Sequence, residues 1–112
     1  MLTWSSPEDP SPGGSVTDLD LHLRHPNGPW QDDLWDVDFT NRNPDWGIEG
    51  DTSDDPTLDR DAISTEGPEQ ITMRQPEDGV VYQVGVHVYN DSNNGPTLAE
   101  ISASVGPLFE SL

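Results

Sequence analysis

The sequence of 112 residues contains no cysteine and no lysine. Without cysteine, disulfide bonds, thiol chemistry and zinc sites of the cysteine type are excluded. Four arginines face 22 acidic residues, which gives a formal net charge of −18. Because nucleic acids and anionic membranes are bound through basic patches, we expect neither as a partner.

Long apolar runs are also missing. Apolar residues make up only 30% of the chain, and no stretch approaches the ~20 apolar residues of a membrane span, so we expect no membrane insertion. No signal peptide is visible. Met1 leads directly into a β-prone stretch, so we expect residues 1–112 to be one domain taken from a larger protein.

The low apolar content and high charge would by themselves favour disorder. Four tryptophans, two tyrosines, two phenylalanines and several alternating runs instead indicate a folded domain. The acidic surface of such a domain opposes its own compaction. Divalent cations would relieve that repulsion, and the salt of a saline habitat would do the same by screening.

The clearest pattern is a strict alternation of polar and apolar residues over 17–23. A period of two indicates a β-strand with one buried face. The other face carries Asp18, Asp20 and His22 at a spacing of roughly 7 Å along the strand. Since strands usually avoid aspartate and like charges repel, a bound cation is the simplest compensation.

Further β-prone runs are separated by turns rich in Gly, Pro and Asn, and no stretch shows convincing helical periodicity. About seven or eight short strands of this kind are typical of an antiparallel sandwich or barrel. We expect 80–89 to be the central strand, and 41–66 to be one long acidic loop that a cation orders. The other predicted strands are 2–6, 16–24, 30–40, 69–74, 97–105 and 108–110.

Thirteen of the 22 acidic residues lie between positions 18 and 61, and three Asp-X-Asp pairs stand out there. In extended backbone each pair presents both carboxylates on one face. Ca²⁺ takes about six to eight oxygen ligands, and an all-oxygen set favours it over Zn²⁺ or Cu²⁺. The spacing is not that of an EF-hand, and solvated loop carboxylates are the alternative. The candidate ligands from these pairs are Asp18, Asp20, Asp38, Asp59 and Asp61.

Six motifs are spread over most of the chain, at 2–4, 17–23, 43–47, 54–61, 67–71 and 82–89. Together they resemble a bacterial extracellular module, the DUF2135/YfaP-type domain, and more distantly the pre-peptidase C-terminal domain. The resemblance implies a jelly-roll-like antiparallel β-sandwich, often stabilised by calcium and without catalytic machinery. By motif it assigns the family's acidic positions to Asp18, Asp20, Asp59, Asp61 and Glu69, and the insert at 41–55 departs from the pattern.

The residues of catalytic type do not form a recognisable constellation. No serine lies in a Gly-X-Ser-X-Gly elbow, and a glycosidase pair of carboxylates would need a cleft that so small a domain does not suggest. His22, His25 and His87 could bind zinc or act as bases, but we expect structural histidines bonded to carboxylates or to the backbone. We therefore expect no enzyme.

Trp30, Trp35 and Trp46 lie in or near acidic loops, where they could stack on sugars or close the ends of the sandwich. The sequence predicts a monomeric, calcium-binding, non-catalytic module, extracellular or at the surface of a bacterium. Its role would be adhesion, spacing or targeting. Three alternatives stay open. One is a module that binds a glycan or cell-surface polymer through these tryptophans. The others are an accessory domain of a secreted protease and a spacer adapted to salt.

Overall fold

The computed structural model describes residues 1–11, 13–62 and 65–104. Within these ranges the chain is all-β, with seven strands and a single 3₁₀ turn, η1, and without an α-helix. Every strand pair is antiparallel, which confirms the prediction of an all-β, antiparallel chain. The elements in order are β1 (Leu2–Ser5), β2 (Asp18–Arg24), β3 (Asp36–Val37), η1 (Thr52–Asp54), β4 (Thr57–Arg60), β5 (Gln70–Thr72), β6 (Gln83–Asn90) and β7 (Leu98–Ile101).

The strands form three small sheets, none of which is closed. β1 pairs with β7, β4 pairs with β5, and β2 lies between β3 and β6. The short β3 contacts only the C-terminal end of β2, where it pairs with Leu23 and Arg24. The N-terminal half of β2 therefore has a strand neighbour on the β6 side only.

The alternation predicted for β2 is confirmed. Leu19 and Leu21 are buried in a cluster with Leu2, Trp4 and Ala62. A second buried cluster contains Val37, Trp46 and Leu58, and Ile71 of β5 packs against both clusters. Because each leucine of β2 points into this core, the intervening acidic side chains point to the opposite face.

The prediction that 80–89 forms the central strand is wrong. β6 lies at the edge of its sheet, and its three valines Val84, Val86 and Val88 are between 38% and 54% exposed. They lie opposite the leucines of β2 and so extend the apolar face beyond the part that the other described strands cover. The central position belongs to β2, since it is the strand with partners on both edges.

The prediction of a structureless loop over 41–66 is also wrong. This region contains η1, β4 and three core residues, Trp46, Leu58 and Ala62. Several of its aspartates accept backbone N–H groups in tight turns, which gives the segment local order. The acceptors are Asp45 for Gly50, Asp51 for Ser53, Asp54 for Ile48 and Asp55 for Trp46, at 2.7–3.0 Å.

Other strand boundaries differ in length from the predictions. The run at 30–40 contributes only β3, because Asp32 accepts hydrogen bonds from the backbone of Leu34 and Trp35 and turns the chain there. The predicted strand at 97–105 is observed as β7. Its predicted end and the predicted strand at 108–110 lie outside the described residues.

Candidate metal centre

Three carboxylates meet beside the exposed edge of β2, and we call this group the acidic pocket (Asp18, Asp20 and Glu69). One oxygen from each lies within 4.8 Å of the others. Asp18 and Asp20 share a face of β2, because they are two residues apart in extended backbone. Glu69 comes from the segment before β5, where its backbone exchanges two hydrogen bonds with Leu2 at 2.8 and 2.9 Å.

Glu69 is fully buried and is held by the backbone. Its Oε1 accepts a hydrogen bond from the N–H of Leu21 at 2.9 Å, and its Oε2 accepts one from Ala62 at 3.2 Å. The first contact supplies an acceptor to β2 where no strand pairs with that edge. The carboxylate is therefore fixed in position before any ligand binds.

Unlike Glu69, the two aspartates of the acidic pocket each have a carboxylate oxygen without a hydrogen-bond partner among the described residues. Asp20 is only 3% exposed, and its Oδ2 has no hydrogen-bond partner among the described residues. Oδ1 of Asp18 is buried and also lacks a partner within this part of the chain. Of the ion pairs found among residues 1–11, 13–62 and 65–104, none involves Asp18, Asp20 or Glu69. Since buried carboxylates without partners are costly, the acidic pocket requires protons or a cation.

The pKa values of the acidic pocket are raised. Burial raises the pKa of Asp20 to about 6, with repulsion from Asp18 and Asp61 adding to the effect. Burial, together with the neighbouring carboxyl of Asp61, raises the pKa of Glu69 to about 8. Burial and repulsion from Asp61 also raise the pKa of Asp18. Near neutral pH Glu69 therefore retains a proton that a cation would displace.

The predicted pair Asp59/Asp61 is split. Asp61 borders the acidic pocket, since its charge acts on all three carboxylates, and its Oδ2 accepts from Arg42 at 3.2 Å. Asp59 is exposed and its carboxylate accepts from the hydroxyl of Thr72. The two residues do not share a strand face, because β4 ends at Arg60 after a register shift.

Asp38 joins a different group, the His22 pocket (His22, Asp36 and Asp38), whose three members are all buried. His22 Nδ1 lies 2.8 and 3.0 Å from the two oxygens of Asp36 and 3.7 Å from Oδ2 of Asp38. Sequence reasoning did not predict His22 or Asp36 as ligands. The sequence pointed to His22 through the alternation of β2 and to Asp36 through the third Asp-X-Asp pair. Only the pairing of β2 with β3 brings the two side chains together.

The three tryptophans do not share one exposed surface. Trp46 is 2% exposed and belongs to the core. Trp35 is partly buried and packs against it and against His25, with ring centroids 4.6 Å from the histidine. Trp30 is 42% exposed and lies under the guanidinium of Arg24, 5.5 Å from the ring centroid. Of the three, Trp30 alone offers a large exposed area.

Comparisons with protein-family models, curated proteins and solved structures find no match. The resemblance drawn from the motifs therefore stays an expectation. Within the part of the chain that the structure describes, no helix has the length and apolarity needed to cross a membrane.

Proposed function

We propose that the chain is a calcium-binding, non-catalytic β-module whose cation is held by Asp18, Asp20 and Glu69. The observation that supports this most strongly is the carboxylate of Asp20. Asp20 is only 3% exposed, and its Oδ2 has no hydrogen-bond partner within residues 1–11, 13–62 and 65–104. Two further carboxylates lie beside it.

The choice of Ca²⁺ follows from the donors. The acidic pocket offers only oxygen, which favours hard cations over zinc and copper. Ca²⁺ accepts about six to eight oxygens in flexible geometry, so three carboxylates and water suffice, whereas Mg²⁺ demands near-ideal octahedral geometry and retains most of its waters. The net charge of −18 raises the local concentration of any divalent cation.

The proposed mechanism is electrostatic. A cation in the acidic pocket neutralises the repulsion between Asp18 and Asp20 and draws both towards Glu69. Since Glu69 is bonded to the backbone of Leu21 and Ala62, the ion connects β2 to the segments before β5 and after β4. Binding to the folded state alone contributes about 2.7 kcal/mol when the free ion is about 100-fold above its dissociation constant.

The biological setting belongs to the same proposal. A module stabilised in this way suits an extracellular or surface protein of a bacterium, where it would serve adhesion, spacing or targeting. Extracellular modules bind Ca²⁺ with dissociation constants of roughly 10⁻⁴–10⁻³ M, an affinity that a partly hydrated site of three carboxylates would provide. The jelly-roll-like sandwich implied by the motifs is the architecture we propose for the chain as a whole.

Thermal melting in EDTA, Ca²⁺ and Mg²⁺ at matched ionic strength tests the proposal. We expect Ca²⁺ to raise the melting temperature more than Mg²⁺ does. Asp20→Asn should abolish most of that rise. Asp59→Asn removes the same charge from an exposed position outside the acidic pocket, so it should keep the rise. An absent rise in the wild type, or an equal loss in both variants, would refute the proposed site.

A further inference from the structure

The His22 pocket differs from the acidic pocket in its donors, since it combines an imidazole with two carboxylates. Asp38 is 5% exposed. Its Oδ1 accepts three hydrogen bonds, two from Thr40 and one from Asn41, at 2.6–3.1 Å. Its Oδ2 receives no hydrogen bond from the described residues and faces His22 Nδ1 at 3.7 Å. This oxygen of Asp38 therefore faces the imidazole at a distance too long for a hydrogen bond.

A proton on His22 does not satisfy both carboxylates. The Nδ1–H bonds to Asp36, at 2.8 Å from Oδ2, and leaves Asp38 outside hydrogen-bond distance. Two donors bound at 2.0–2.1 Å to one tetrahedral ion lie about 3.3 Å apart. His22 Nδ1 lies 2.8 Å from Asp36 and 3.7 Å from Asp38, and these two distances bracket that value. An ion placed between the imidazole and the two carboxylates would therefore bond all three groups after shifts of a few tenths of an ångström.

We infer that His22, Asp36 and Asp38 form a second metal site, selective for Zn²⁺ and independent of the calcium site. An imidazole nitrogen with two carboxylates is a donor set that zinc accepts, whereas Ca²⁺ prefers oxygen alone. The set supplies three ligands and leaves a fourth position for water or another side chain. The exposed His87 is the nearby side chain of a zinc-binding type, and its ring centroid lies 6.1 Å from that of His22.

The inference does not rest on the calcium proposal, because the two pockets share no residue. They are neighbours on one face, since Asp20 and His22 are two residues apart on β2. Zinc binding must therefore be measured with the acidic pocket saturated by excess Ca²⁺. Under this condition, zinc bound by the His22 pocket is distinguished from zinc bound weakly by surface carboxylates.

Isothermal titration of Zn²⁺ in excess Ca²⁺ tests the inference with the full chain. We expect one Zn²⁺ per chain. Asp38→Asn keeps the shape of the side chain and its acceptor for Thr40 and Asn41, and it should weaken Zn²⁺ binding by at least the roughly 10–100-fold that loss of an outer-shell partner costs. Asp59→Asn is the matched control, because it removes the same charge from an exposed position outside both pockets, and it should leave Zn²⁺ affinity unchanged. Equal weakening in the two variants, or none in Asp38→Asn, would overturn the inference.

A spectroscopic measurement keeps the inference testable if a variant folds poorly. In the wild-type protein, Zn²⁺ should shift the ring resonances of His22 in a histidine-selective ¹⁵N NMR spectrum while those of His25 stay in place. His25 is the internal control, because it is buried against Glu77 and lies outside both pockets. Ring resonances of His22 that do not respond to one equivalent of Zn²⁺ would show that the group is an ion pair only.

Discussion

Glu69 Oε1 accepts a hydrogen bond from the backbone N–H of Leu21 at 2.9 Å, across 48 residues of sequence. The N-terminal half of β2 has no strand on this edge, because β3 pairs only with Leu23 and Arg24. A buried side chain thus does for β2 what a neighbouring strand would do. The same side chain completes the acidic pocket, so the stability of the sheet and the proposed binding of a cation depend on one residue.

Glu69→Ala should lower the free energy of unfolding by about 2 kcal/mol or more even without metal. It leaves the buried N–H groups of Leu21 and Ala62 without their acceptor, at roughly 1–3 kcal/mol for each unsatisfied donor. Urea denaturation in EDTA measures the difference. Glu66→Ala is the control, since it removes the same charge from an exposed position three residues earlier and should change the stability little. Similar losses in both variants would show that the hydrogen bonds of Glu69 do not matter.

The metal-free protein should become less stable as the pH rises from about 4 to 8. The pKa of Asp20 is raised to about 6 and that of Glu69 to about 8, so in this range the folded state holds more protons than the unfolded state. The stability that these protons confer is lost as the pH passes the folded-state values. Melting temperature against pH in EDTA should fall, and saturating Ca²⁺ should flatten or reverse the fall.

The same pH series in Asp20→Asn separates the acidic pocket from the general surface charge. The variant should lose the part of the slope near pH 6, because the titrating group is gone. Asp59→Asn should keep the wild-type slope. A wild-type stability that rises steadily from pH 4 to 8 in EDTA would contradict the raised pKa values.

Gly47→Ala should lower the free energy of unfolding by more than Gly50→Ala does. Both glycines lie in the acidic segment 41–66. Both glycines have positive φ, +68° and +80°, so alanine is strained at either site by about 1–2 kcal/mol. Only at Gly47 would the added methyl group also collide with the carboxylate of Asp54, which holds the N–H of Ile48. Urea denaturation should give the same difference in EDTA and in Ca²⁺. A difference that appears only with Ca²⁺ would mean that the cation, not the aspartates, orders this region.

Leu21→Ala should lower the free energy of unfolding much more than Val86→Ala, although the two residues are paired between β2 and β6. Leu21 is buried in the core, and its truncation should cost about 2–5 kcal/mol. Val86 is 38% exposed at the sheet edge, so its truncation should cost under about 1 kcal/mol. Equal costs in denaturation experiments would mean that another part of the protein covers β6.

What the sequence predicted well was local. The alternation that defines β2 depends on neighbouring residues only, so Leu21 was predicted to point into the core and Asp20 away from it. Glu69 was reached only through the resemblance, because its contacts with Leu21 and Ala62 depend on how distant segments pack. The same limit explains β6. Its alternating valines resemble a buried strand, but no local pattern states whether a neighbour covers them.

For the site residues, too, local patterns were predicted and contacts between distant segments were not. The Asp18/Asp20 pair was predicted from extended backbone and is presented on one face of β2. The pair Asp59/Asp61 was predicted by the same rule but is split, because Asp59 lies at a register shift of β4 and the strand ends at Arg60, before Asp61. His22 and Asp36 lie 14 residues apart and meet only through the pairing of β2 with β3. Spacing rules hold inside a regular strand and fail where the strand ends.

The most direct test of the calcium proposal is a Ca²⁺ titration of the metal-free protein followed by ¹H–¹⁵N NMR. The proposal predicts the largest shifts at the amides of Leu21 and Ala62, because both donate to the carboxylate of Glu69. The amides of Gly50 and Ser53, which donate to surface aspartates, should move little. Largest shifts at Gly50 and Ser53, with Leu21 and Ala62 unmoved, would place calcium on the surface loops and contradict the acidic pocket.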